Sequence, residues 1–202
     1  MKVTKAQASE NRDAILKEAA AQLRKRGFDQ VSTADIAGAA GLTHGAVYSR
    51  YKSKDALKVD ATRRAFRDTI RDFGDLSLDD FLKRYLSPKH RDHPEAGCPN
   101  AALSSEVWRQ PIAIKEVFHD GLKDFVNLVA ETLERDGVED GRDKAMSMLA
   151  TLVGTIALSR AIRDVDESYS DEMLRRVRFQ LKRLAGKHDY GEGARSTSPV
   201  NR

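Results

Sequence analysis

The segment from Ser32 to Tyr51 constrains the fold more than any other, because two apolar seams at helical spacing stand there on either side of a glycine. Ile36, Ala37 and Ala40 make the first seam; Val47 and Tyr51, four residues apart, make the second. Ser32, or Thr33 beside it, can cap the start of the first helix, and Asp35 completes an approximate capping box. Gly41 follows directly, where a chain leaving a helix favours a residue that tolerates positive φ. Thr43 can cap the second helix, and Leu42 closes the same small core from the turn.

A longer helix precedes this pair. Ile15, Leu16, Ala19, Ala20 and Leu23 predict a helix over 10–26 with a single apolar stripe. Gly27 stops it, and Phe28 and Val31 fold back onto the stripe. The polar residues 1–9 are expected to form a mobile end. The whole reads as a helix-turn-helix. Its second helix would turn His44, Gly45, Tyr48 and Ser49 away from the core near its N-terminal end, the part of such a unit that meets base edges in the major groove. Gly45 and Ala46 allow close backbone approach, and the hydroxyls of Thr43, Tyr48 and Ser49 can donate to phosphate or base acceptors. Lys54 opens the next helix, where an ammonium and unpaired amides together favour an anion, with phosphate the obvious one. Ser32 and Thr33, at the start of the preceding helix, join this candidate DNA-contacting set. Residues 1–57 hold ten Lys/Arg and six Asp/Glu out of chain totals of 35 and 31. The entire net charge of +4 therefore sits on this head, which suits binding to a polyanion, and the rest is neutral.

From about Ile15 to Leu57 these residues resemble the TetR family of transcriptional regulators: an amphipathic first helix, Gly27-Phe28, Ile36-Ala37, Ala40-Gly41, Tyr48, an aromatic at Tyr51, and Lys54 with Leu57. The resemblance implies that Tyr48 and Lys54 anchor phosphates and that Thr43, His44 and Gly45 lie where the family approaches bases. The family often has a basic residue where His44 stands. An imidazole there could read a base edge or, when protonated, bind phosphate. The implied fold class is all-α. It comprises an N-terminal three-helix helix-turn-helix DNA-binding domain over 1–57 and a C-terminal helical ligand-binding and dimerisation domain over 58–186.

Charged residues at 33% and hydrophobic ones at 40% leave enough apolar matter for a core. No apolar N-terminal signal is visible. The longest apolar run, residues 145–158, contains Ser and Thr and falls short of the roughly 20 residues of a membrane span. A single cysteine excludes an intrachain disulfide and fits a cytoplasmic protein. No membrane association is expected. A long helix over 53–73 should join head to body, followed by a short helix over 78–86 and a loop over 87–97 dense in turn residues. Pro99 suits a first helical turn and places Cys98 at a helix N-terminus, which can lower a thiol pKa. Some branches of the family carry a similar Gly-Cys segment, and some members sense oxidants or electrophiles through a thiol. A small buried residue is the plainer reading. His90, His93 and Cys98 match no zinc spacing, so neither a metal nor a cofactor is expected.

Pro111 starts another amphipathic helix, reaching Arg135. The helix over 141–164 is apolar nearly all round and must be covered on several sides. The last helix, over 170–185, has an apolar stripe opposite a basic side. In the family the corresponding pair builds a four-helix dimer interface, so a homodimer through these two helices is expected, and a disordered tail over 187–202. No Ser/His/Asp grouping, metal motif or phosphate-binding glycine loop points to an enzyme. The expected function is a dimeric regulator, a repressor that leaves a palindromic operator in double-stranded DNA when a small-molecule effector enters the body. The alternatives are a redox or electrophile sensor acting through Cys98, or a helical interaction module without DNA binding. The effector pocket is expected among Phe66, Cys98, Leu103, Trp108, Phe118 and Phe125.

Overall fold

A computed structural model of the chain describes residues 4–186. Every regular element among them is helical. The first residues 1–3 and the tail over 187–202, including its expected disorder, lie outside the described residues.

Helix α1 (Lys5–Arg26) begins five residues earlier than expected, because the Thr4 hydroxyl accepts the Gln7 N–H at 3.2 Å and supplies a cap. The end expected to be mobile therefore winds into helix from Lys5 onward. Helix α2 (Thr33–Ala39) carries the capping box in full: Asp35 N–H donates to Ser32 Oγ at 3.0 Å, and Ser32 N–H donates to the Asp35 carboxylate at 3.4 Å. Gly41, at φ +67°, ends it in a Schellman turn, with Gly41 N–H donating to the Gly38 carbonyl and Leu42 N–H to that of Ala37. Helix α3 (His44–Tyr48) is only five residues long. Thr43 precedes it but makes no side-chain cap, contrary to expectation; its backbone carbonyl accepts the Ala46 N–H instead.

Helix α4 (Lys54–Phe73), capped by Ser53, runs from the head into the body. Helix α5 (Leu78–Tyr85) follows. The segment expected as a loop contains helix α6 (Pro88–Asp92) and a 3₁₀ turn (Pro94–Ala96). The turn chemistry there serves as helix punctuation: Ser87 caps α6, and Pro88 occupies its first turn. Arg91, fully buried, fastens α6 to the last helix by donating to Ser170 Oγ at 2.7 Å and to the Asp171 carboxylate at 2.6 Å. Helices α7 (Pro99–Val107), α8 (Ile112–Arg135), α9 (Gly141–Ile162) and α10 (Glu167–Leu184) complete the body. By length and composition α9 could cross a membrane, although the apolar run alone falls short. Here it packs against α7, α8 and α10.

Two apolar clusters organise the molecule. The body cluster gathers Phe73, Phe81, Tyr85 and Phe125 with the inner faces of α8, α9 and α10. The rings meet edge-on or tilted at centroid distances of 5.1–6.3 Å, with Phe81 and Tyr85 stacked at 5.9 Å. The head cluster gathers Ile15, Phe28, Ile36, Val47, Tyr51 and Leu57, and then continues into the body through Phe66, Leu103, Val107, Ile114 and Phe118. Packing is continuous across residue 57.

Candidate nucleic-acid interface and ligand groove

The second seam buries Val47 and Tyr51 in the head cluster, with α3 seated on α2, so the opposite side of α3 faces outward. His44, Gly45, Tyr48 and Ser49 are all exposed. They do not project independently. His44 Nε2 lies 3.1 Å from Thr33 Oγ1, the Tyr48 hydroxyl lies 3.4 Å from the same oxygen, and the His44 and Tyr48 rings meet edge-on at 4.6 Å. One hydroxyl on α2 thus ties together two side chains of α3. Ser49 is committed to its own helix, donating to the Ala46 carbonyl at 2.9 Å. Thr43 is exposed and, having no cap to make, keeps its hydroxyl available. A Cβ added at Gly45 would meet nothing within 4 Å, so nothing inside the protein requires a glycine there.

Lys54 is exposed at the start of α4, with Nζ 3.5 Å from the Asp29 carbonyl. Ser32, expected in the contacting set, spends its side chain on the capping box. Beside Lys54 stand Arg50 and Lys52, exposed on either side of buried Tyr51 and without an ion-pair partner among the described residues. Sequence reasoning passed over these two cations. The signal was present: a buried aromatic flanked by two positive charges turns both outward in the link between α3 and α4.

A joint of half-buried and buried polar groups holds the head to the body. Glu106 of α7 accepts the Phe28 N–H at 3.0 Å, just past the end of α1. Gly27 adopts φ +81°, and a Cβ there would collide with the Glu106 carboxylate at 2.4 Å, so this approach needs glycine twice over. Arg24 donates to the Gly97 carbonyl at 3.1 Å, and burial pulls its pKa down. The buried ammonium of Lys58 donates to Gln110 at 3.2 Å and lies 3.6 Å from Asp29.

In the body a groove of about 530 Å³ opens between α7, α8 and α9. Its apolar wall is Phe118, Leu122, Val126, Leu149 and Val153. His119 and Lys123 of α8 and Arg142 of α9 stand around it, and Asn100 and Ser104 of α7 close the remaining side. Asn100 is buried; its amide donates to Cys98 Sγ at 3.5 Å, but its carbonyl oxygen has no partner among the described residues. An unpaired buried acceptor of this kind costs about 1–3 kcal/mol.

Of the six residues expected to form an effector pocket, Phe118 alone lines the groove. Phe66 packs edge-on against Phe118 at 5.3 Å, in space kept clear by Gly121. Leu103 is buried in the head cluster and Phe125 at the centre of the body cluster. Trp108 is 63% exposed, because α7 stops at Val107 and the indole folds back only to donate to the Ser105 carbonyl. Cys98 lies at the N-terminus of α7 as expected but is buried, and burial pushes its thiol pKa up, opposite to what a thiolate sensor needs. Its N–H donates to His90 Nε2 at 2.9 Å, while His90 Nδ1 donates to the Tyr85 carbonyl at 2.7 Å. Both imidazole nitrogens are thereby committed, and burial lowers the His90 pKa to about 4. A Cβ at Gly97 would strike this ring at 2.6 Å, which accounts for the Gly-Cys pair. No group of three His, Cys, Asp or Glu side chains able to hold a metal occurs among the described residues.

A short outward-facing helix set on a capped partner, with free cations beside it and a helical body behind, defines a helix-turn-helix DNA-binding regulator. Residues 15–67 match the family model for bacterial regulatory proteins of the tetR family, and residues 77–168 match the C-terminal domain model for LmrA/YxaF-like transcriptional regulators. The chain belongs to the TetR family of transcriptional regulators. Among curated protein sequences none matches it. Solved structures with the same fold include reduced NemR from E. coli (TM-score 0.69, 19% identity, covering 86% of this chain and 95% of that one). A TetR regulator from Chloroflexus aurantiacus is similar at TM-score 0.70 and 20% identity, covering 90% and 97%. So is a TetR-family regulator from Agrobacterium tumefaciens, at TM-score 0.69 and 19% identity, covering 87% and 98%.

Proposed function

We propose that this chain is a dimeric repressor that holds a near-palindromic operator through α3 and releases it when a small molecule enters the groove between α7, α8 and α9. The observation that carries the DNA half is the linked Thr33–His44–Tyr48 cluster, edged by Arg50, Lys52 and Lys54. Thr33, His44 and Tyr48 satisfy one another in the free protein and exchange those bonds for phosphate and base contacts on DNA. Tyr48 and Lys54 act as phosphate anchors; Thr43, His44 and Gly45 face the bases. The effector half rests on α7, which lends Asn100 and Ser104 to the groove and Leu103, Glu106 and Val107 to the head joint. A ligand that displaces α7 must move the end of α1, and it shifts DNA affinity only by its preference for the displaced form.

Dimerisation is proposed through α9 and α10, where Leu158, Tyr169, Phe179 and Leu184 are exposed. Two recognition helices about 34–36 Å apart would read half-sites one turn apart. The protein is read as cytoplasmic and without catalytic activity. The burial of Cys98 disfavours the thiol-sensing alternative.

The test is selection of bound fragments from genomic DNA, followed by binding of the recovered site and of a random duplex. Tyr48→Ala and Lys54→Ala should weaken both duplexes alike, and substitutions at Thr43 or His44 should change the preference between them. Equal losses on both duplexes for all four would overturn these roles. Light scattering on Leu158→Glu and Phe179→Glu should show monomers; wild-type protein that is itself monomeric would overturn the dimer.

A further inference from the structure

The wall of the groove is uneven in charge, and that unevenness specifies the chemistry of an occupant. Its apolar side is continuous from Phe118 through Leu122 and Val126 to Val153. Every ionisable side chain that lines it is a base: His119, Lys123 and Arg142. No Asp or Glu lines it among the described residues. Lys123 has no ion-pair partner among the described residues, and Arg142 donates to a neutral acceptor, the Asn127 side-chain oxygen at 3.2 Å, rather than to a carboxylate. His119 alone is offset, with Nδ1 3.3 Å from Asp120. On the α7 side the buried Asn100 oxygen awaits a donor.

We infer that the groove takes an amphipathic organic anion: an apolar body along α8 and α9, one carboxylate, sulfonate or similar group at Lys123 and Arg142, and a hydrogen-bond donor reaching Asn100. A volume near 530 Å³ lies in the range of sites for such molecules. A cationic ligand would meet like charge at Lys123 and Arg142, and a neutral one would leave both exposed cations to water, gaining nothing from them. The assignment rests on the reading of this groove as the effector site, but it can fail separately from it.

Two fluorescent dyes differing in a single group make the test: anilinonaphthalene sulfonate and its neutral parent, phenylnaphthylamine. Titrated into full-length protein at low salt, the sulfonate should bind about tenfold more tightly than the parent, as charge-assisted contacts predict. Lys123→Gln combined with Arg142→Gln should reduce that preference to about threefold or less while leaving the parent dye unaffected. Asn100→Ala should loosen both dyes, which share the anilino N–H. Val153→Trp should exclude both, separating the groove from the exposed apolar faces of α9 and α10. Equal affinity of wild type for the two dyes, no binding of either, or a preference unchanged in the double variant would each overturn the inference. Sulfonate bound in the groove without release of operator DNA would uphold the ligand chemistry and overturn the effector reading.

Discussion

Helices α2 and α3 hold seven and five residues, whereas α8 and α9 hold 24 and 22. The short pair is kept in shape by local devices: a complete capping box, a Schellman turn at Gly41, and few buried side chains beyond Ile36, Ala37 and Val47. The long pair relies on burial, with Phe125, Leu133, Ala145, Leu152 and Ile156 all fully enclosed. The difference follows from their work. A surface that must fit into a DNA groove cannot be covered by the rest of the protein, so its order comes from hydrogen bonds between near neighbours. Under the proposed function the body encloses a ligand and transmits its presence, which calls for a core with discrete packing, and long helices provide one.

The contrast can be broken most forcefully at Phe125. Phe125→Ala empties the centre of the aromatic cluster and should cost about 3–5 kcal/mol of unfolding free energy; denaturant melts would show this, and a loss under 1 kcal/mol would deny the cluster its role. Acid should act on the body next. His90 is buried in its neutral form, with a pKa lowered from 6.5 to about 4 by desolvation. Its contribution is therefore complete above pH 6.5 and is lost as pH falls towards 4, because the unfolded chain takes up the proton first. That shift amounts to about 3 kcal/mol. Thermal melts from pH 7 to pH 4 should show the decline, flattened in His90→Asn.

Gly45→Ala sharpens the comparison from the other end. The new methyl meets open space in the protein and removes a glycine from the first turn of α3, so stability should hold or rise by up to about 0.5–1 kcal/mol. Operator affinity should nevertheless fall about tenfold if the backbone approaches the bases there, as measured by fluorescence anisotropy. Smallest is the effect of Arg50→Gln with Lys52→Gln. It should leave the melting temperature unchanged and lower the slope of log affinity against log salt by about 2, equally for operator and random DNA.

Most of the head was legible in its residues. The capping box at Ser32 and Asp35, the turn at Gly41 and the outward set on α3 all follow from relations within about ten residues, which is the range over which spacing carries information. The cap by Thr43 failed for the same reason that it could be imagined: local chemistry permits several hydrogen bonds, and the backbone took Ala46 first. In the body, helix lengths and apolar faces were readable, but contacts were not. Apart from Phe118, which lines the groove, the residues expected around a pocket went to two cores and an exposed turn, because apolar residues look alike until a fold assigns them neighbours. Likewise Gly27 and Gly97 read as punctuation, and only packing revealed that each makes room for a side chain from another helix.

What the amino-acid order determined alone is the helical nature of the chain, the helix-turn-helix and its cationic face. Each depends on periodicity, capping and charge counted over short stretches. Where the groove lies, which cations surround it, and how α7 joins it to the head were decided by tertiary packing. Those features arise between segments far apart in the chain, and no local preference specifies a distance between helices.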